Sequence, residues 1–136
     1  MVPPIEITNL TTGDVLTFNP DENASPLGNW KLHSIEGNQD EKMGRVSLIL
    51  EVEGEDKIIR GNDACNSYSG TIRNMDKKKI NFGSFSKTER ACMIPAEHAD
   101  LLYENLDKVQ SYLADQSNLI LRDVKGNNLL HFVKSE

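Results

Sequence analysis

Cations are the minority charge in this chain of 136 residues, with 15 Lys and Arg against 21 Asp and Glu and a formal net charge of -6. Surfaces that meet nucleic acid or an anionic membrane need clustered Lys and Arg to face phosphate, so the shortage argues against both partners. The one basic run, Lys77-Lys78-Lys79, sits beside Asp76 and reads as a solvated turn. Long apolar runs are missing as well. Nothing approaches the roughly 18 residues that a membrane-crossing helix needs, so no transmembrane segment is expected. Met1-Val2-Pro3-Pro4 carries neither the basic nor the apolar region of a signal peptide, and such a start also fits a mature exported protein whose leader has been removed. Cysteine occurs only twice, at Cys65 and Cys92, without the Cys-x-x-Cys spacing that lowers a thiol pKa at a helix start. His33, His98 and His131 stand singly, and zinc on the two cysteines would need two more ligands. No metal and no other cofactor is expected.

Against a mean hydropathy of -0.49, what is present is regular apolar alternation along most of the chain. The length suits one domain around one core. Residues 1–26 read as an N-terminal arm or edge hairpin followed by a linker. Ile5-Glu6-Ile7 and Val15-Leu16-Thr17-Phe18 flank the turn signal Thr12-Gly13-Asp14, and a polar stretch from Asn19 to Pro26 follows. The compact domain is expected over 27–136. Trp30 and Leu32 fall on one face of a strand, with Lys31 and His33 on the other. Val46, Leu48, Leu50 and Val52 give the strictest period-two pattern, and Glu53-Gly54-Glu55-Asp56 turns the chain into Lys57-Ile58-Ile59-Arg60. Further strands are expected at 68–72, at 79–85 with Gly83 as a bulge, at 118–123 and at 129–133. Between them Leu102, Leu106, Val109 and Leu113 recur at helical spacing behind Pro95, Glu97 and Asp100, which predicts one long helix over about residues 95–114. The fold class is therefore α+β, mostly antiparallel β, as a partly open, barrel-like sheet packed around that helix.

Both cysteines lie in polar segments that break the alternation, Arg60-Gly61-Asn62-Asp63-Ala64-Cys65-Asn66-Ser67-Tyr68-Ser69-Gly70 and Thr88-Glu89-Arg90-Ala91-Cys92-Met93. Cys65 and Cys92 read first as a structural pair, either a disulfide or packed buried thiols. Asn62, Asp63, Asn66 and Ser67 are residues whose side chains bond local backbone, which suits a bent connection. Together with Tyr68 and Arg90 they are also a candidate binding rim. A cysteine nucleophile with His98 as base and Asp63 as orienter is the competing, catalytic reading.

These segments, with Leu27-Gly28-Asn29-Trp30 before them and Leu119-Ile120-Leu121-Arg122-Asp123 and Leu129-Leu130-His131-Phe132 after, resemble the META domain family, which includes the HslJ heat-shock proteins. Two positions depart from the pattern. Ala64 stands where the family usually has Gly, implying that this position need not be left-handed here, and Arg90 stands where an apolar residue is usual. The resemblance implies a stress-related, non-enzymatic domain of the cell envelope, periplasmic or lipid-anchored as a lipoprotein once a leader is removed, with no catalytic residues to carry over. It leads to the expectation of a barrel that binds an apolar small molecule or an envelope protein partner. A thiol or redox protein using Cys65 and Cys92, and a purely structural stress protein, are the alternatives.

Overall fold

The computed structural model describes residues 5–8, 15–18, 24–37, 45–76, 78–88 and 97–135. In chain order the elements are β1 (Ile5–Thr8), β2 (Val15–Phe18), β3 (Gly28–Ile35), β4 (Val46–Glu53), β5 (Asp56–Asp63), β6 (Ser67–Met75), β7 (Ile80–Lys87), α1 (Glu97–Lys108), β8 (Ser111–Ala114), β9 (Asn118–Arg122) and β10 (Asn128–Lys134). β1 and β2 pair antiparallel as a sheet of their own, with Ile5 opposite Phe18. The turn signal between them, residues 12–14, lies outside the described residues.

The other eight strands form one antiparallel sheet in the order β7-β6-β5-β4-β3-β10-β9-β8. It curls into a half-barrel whose two edges approach, among the described residues, at one bridge between Lys79 and Ser111. The amides of Ile80 and Tyr112 form that bridge, donating to the carbonyls of Gln110 and Lys78. Alternation decides what faces inward. Trp30, Leu32, Val46, Leu48, Leu50, Ile59, Ile80 and Phe132 are buried on the inner face, and Leu102 and Leu106 of α1 fill the space they enclose. Trp30 satisfies its indole N–H on the Pro26 carbonyl at 2.8 Å, while the Lys134 ammonium lies 4.7 Å from its ring centre. Such a ring buries its apolar body only because its one donor has found a partner.

Val52 departs from its expected inward place: it is 47% exposed, because β4 runs past the core into the turn around Gly54. Gly83 does mark a bulge. Ile72 pairs with Phe82 and Gly70 with Phe85, so β7 carries one more residue than β6 over that span.

The helix is shorter than its spacing predicts. α1 ends at Lys108, where Val109 N–H closes the last turn on the Leu106 carbonyl, and residues 111–114 form β8 instead. Tyr112, Leu113 and Ala114 pair with Leu121, Ile120 and Leu119. Without β8, that whole edge of β9 would present unpaired N–H and C=O groups beside a buried apolar row, and satisfying them outweighs one more turn of helix. The expected helix start at 95–96 lies outside the described residues.

Candidate functional site

The hairpin joining β5 to β6 is organised by Asp63, whose side chain points inward and is buried. One carboxylate oxygen accepts the backbone N–H groups of Cys65 at 3.0 Å and Asn66 at 2.6 Å, and the other accepts the Tyr103 hydroxyl of α1 at 2.7 Å. A buried carboxylate is tolerable only when its lone pairs are engaged, and here that requirement ties the loop to the helix. Burial, and then the hydrogen bond to Asp63, push the Tyr103 hydroxyl pKa above the ordinary tyrosine value. Asn62 accepts the Ala64 N–H at 2.8 Å, and the Thr88 hydroxyl donates to the Asn66 amide oxygen at 2.9 Å while accepting the Ser67 N–H. Ala64 adopts a φ of +81°, so this position is left-handed after all, with alanine where only glycine is unstrained.

Tyr68 also points inward. Its hydroxyl donates to the Ser47 carbonyl at 2.7 Å, reaching across β5 over Gly61. The Tyr68, Phe85 and Tyr103 rings pack edge to face or tilted, with centres 5.6 to 6.2 Å apart, and the Lys87 ammonium lies 4.8 Å from the Tyr103 ring centre. Burial is the main cause of a raised Tyr68 pKa. The predicted rim therefore divides between two faces. Asp63 and Tyr68 belong to the interior; Asn62 and Ser67 are exposed on the outer face; Asn66 and Cys65 are half-buried in the turn. Cys65 is not a free thiol, and the Asn66 amide donates to its sulfur at 3.3 Å. Cys92, Arg90 and the side chain of His98 lie outside the described residues.

On the outer face a furrow of about 600 Å³ crosses four strands. Ser47 and Ile49 come from β4, Arg60 and Asn62 from β5, Ser67 and Ser69 from β6, with Ser86 of β7 and Thr88 just beyond it. Strand register sets these residues in rows: Ser47 beside Asn62 beside Ser67, and Ile49 beside Arg60 beside Ser69 beside Ser86. The Arg60 guanidinium is bonded to Glu51 at 2.6 Å. Of these side chains only Asn62 and Ser67 are among the candidate rim residues read from the sequence; the overlooked signal is the alternation of hydroxyls at Ser67, Ser69 and Thr71 and at Ser84, Ser86 and Thr88.

A second polar cluster lies on β3 and β10. His131 is buried, its Nε2 sits 2.9 Å from the Asn118 amide oxygen, and its ring centre is 4.8 Å from that of His33. Because the Asn118 amide nitrogen donates to Asp115, its oxygen faces His131, and Nε2 carries the proton. Among the described residues Nδ1 has no hydrogen-bond partner. Burial, aided by neighbouring His33, lowers the His131 pKa to about 4. No group of three or more His, Cys, Asp or Glu side chains among the described residues is placed to hold a metal ion.

The model of the META domain family matches residues 24–136. The chain belongs to the META domain family. Two solved structures share the fold of this META domain. A protein from Burkholderia xenovorans solved by NMR aligns at 24% identity with a TM-score of 0.55, covering 80% of this chain and 79% of its own. A DUF4847-family protein from Bacteroides vulgatus, seen in a crystal structure, aligns at 14% identity with a TM-score of 0.59, covering 79% and 92%. At such identities the likeness speaks to the fold alone. No curated protein matches the sequence.

Proposed function

We propose that this META domain is a non-catalytic, stress-related binding domain of the cell envelope, and that its outer furrow is the binding surface. The observation that carries this reading is the contrast between the two faces. The inner face is filled by large apolar side chains and α1, and the Asp63 carboxylate is spent on the loop and Tyr103. The outer face gathers small, exposed polar side chains around an open volume within the range of about 300–1,000 Å³ that ligand sites occupy. In place of the apolar ligand expected from the family resemblance, these residues suit a polar one.

Envelope location rests on the cysteines. Cys65 is not a free thiol, and the other cysteine of the given sequence is Cys92. A Cys65–Cys92 disulfide persists in oxidising compartments and closes a loop of about 27 residues, which in the chain-entropy account contributes roughly 3 to 4 kcal/mol. No described helix is long and apolar enough to cross a membrane.

Native mass spectrometry of the full chain, purified unheated from the envelope of an exporting host, reads tightly held partners, and amide chemical shifts of the labelled chain in concentrated envelope extract read weakly held ligands. Wild type is expected to give a retained mass or shifts at the furrow amides that a Ser69→Val, Ser86→Val double variant loses. A wild type that gives neither, or a variant that responds as wild type does, overturns the reading. Alkylation of the same material is expected to modify neither cysteine until reductant is added.

A further inference from the structure

We infer that the furrow across β4 to β7 takes a neutral, hydroxyl-rich ligand, an oligosaccharide chain, held by hydrogen bonds with no aromatic stacking. This deepens the binding reading above and rests on it. Its basis is the kind of polar group that the register brings together. Ser67, Ser69 and Ser86 each offer a donor and acceptor capacity on the same atom, Ser47 keeps its hydroxyl donor while accepting the Asn62 N–H, and Asn62 keeps its amide donors while its oxygen accepts the Ala64 N–H; the Thr88 hydroxyl is engaged with Asn66 and Ser67. Sugar hydroxyls have the same dual character, so contacts to Ser67, Ser69 and Ser86 can be satisfied in either direction.

Two other ligand classes fit these residues less well. An anion accepts hydrogen bonds only and needs uncompensated cations. Arg60 is already bonded to Glu51, and the Lys87 ammonium lies over the Tyr103 ring on the opposite face. An apolar ligand would cover the hydroxyls without replacing their water contacts, while Ile49 is the only aliphatic side chain lining the floor among the described residues. Absence of a stacking ring has its own consequence. Tyr68 is turned inward and buried, so hydrogen bonds that merely replace bonds to water must supply the affinity, which places Kd in the millimolar range.

The test is an NMR titration of the isotopically labelled full chain with neutral hexamers of glucose, mannose and N-acetylglucosamine, carried into the millimolar range. At least one hexamer is expected to shift the amides of Ser67, Ser69 and Ser86 together. In the Ser69→Val, Ser86→Val variant, which keeps strand-compatible side chains at two exposed positions, binding is expected to weaken at least tenfold. The inference is overturned if no hexamer moves those amides, if the variant binds as wild type does, or if only a sulfated oligosaccharide used as control binds. The wider reading has a separate fate. A protein or peptide retained by wild type and lost from the variant, with no response to sugars, removes the oligosaccharide inference and leaves the furrow a binding surface.

Discussion

Single residues here carry opposing energies that can be separated. Ala64 holds a φ of +81°, a conformation that costs an L-residue roughly 1 to 2 kcal/mol, whereas glycine there gives up about 0.5 to 1 kcal/mol of chain entropy. Strain is the larger of the two. Ala64→Gly is therefore expected to raise the unfolding free energy by about 0.5 to 1 kcal/mol in a denaturant melt, and a loss of stability would contradict the left-handed assignment. His131 sets up a pH effect. Its folded pKa is about 4 against an ordinary 6.5, so between those values the unfolded chain takes up a proton that the folded chain refuses. Stability is then fully present above about pH 6.5 and falls with pH through that window, by about 3 kcal/mol from this group. His33, lowered by its own burial, acts in the same direction. Denaturant midpoints between pH 7 and pH 4.5 are expected to fall less steeply for His131→Gln than for wild type. Equal slopes would assign the effect elsewhere.

At the scale of elements, Gly61 shows how a strand makes room for a cross-strand bond. A Cβ added there would stand 2.7 Å from the Tyr68 hydroxyl and would collide with the Ser47 backbone carbonyl. The side chain of Tyr68 could yield; the neighbouring backbone could not. Gly61→Ala is expected to cost about 1 to 3 kcal/mol, as overpacking does, and Tyr68→Phe about 1 kcal/mol for the lost bond. Because the backbone collision persists, adding Tyr68→Phe should not rescue Gly61→Ala, and full rescue in thermal or denaturant unfolding would refute this account. From sequence Gly61 is legible only as one glycine in the polar segment around Cys65. Its role depends on a register that pairs it with Tyr68 on one side and Leu48 on the other. The strands around Trp30, Leu48 and Phe132 were readable because alternation is local. β8 was not, since Val109, Tyr112 and Leu113 satisfy helical spacing equally well, and only the open edge of β9 decides between the two states. The candidate rim was half legible for the same reason. Polar residues clustered around Cys65 mark a bent connection, but whether Asn62 and Asp63 share a face is settled by strand geometry, which places them on opposite ones.

The whole molecule is a sheet that almost closes, and its stability need not be uniform. The eight strands of the main sheet follow one another from β7 to β8 through antiparallel ladders, yet among the described residues the circuit from β8 back to β7 depends on one bridge made by two amide bonds, Ile80 N–H to Gln110 at 3.4 Å and Tyr112 N–H to Lys78 at 3.0 Å. The Tyr112 hydroxyl adds a third link, donating to the Asp76 carbonyl at 2.8 Å. By contrast, Leu119 and Leu121 lie in the core with neighbours on both sides, paired to β10 and β8. Opening the seam breaks these few bonds, while opening the centre of the sheet breaks the core itself. Native-state hydrogen exchange should therefore show the Ile80 and Tyr112 amides exchanging through a local opening of low free energy and weak denaturant dependence. The amides of the β3, β10 and β9 ladders should exchange only with global unfolding. Tyr112→Phe is expected to lower protection at the seam without changing the free energy that governs the central ladders by more than about 1 kcal/mol. If seam and centre exchange with one free energy, the barrel opens as a unit and the single bridge is not its weak point. If they separate, the seam is where this half-barrel can admit change without losing the sheet that carries the furrow.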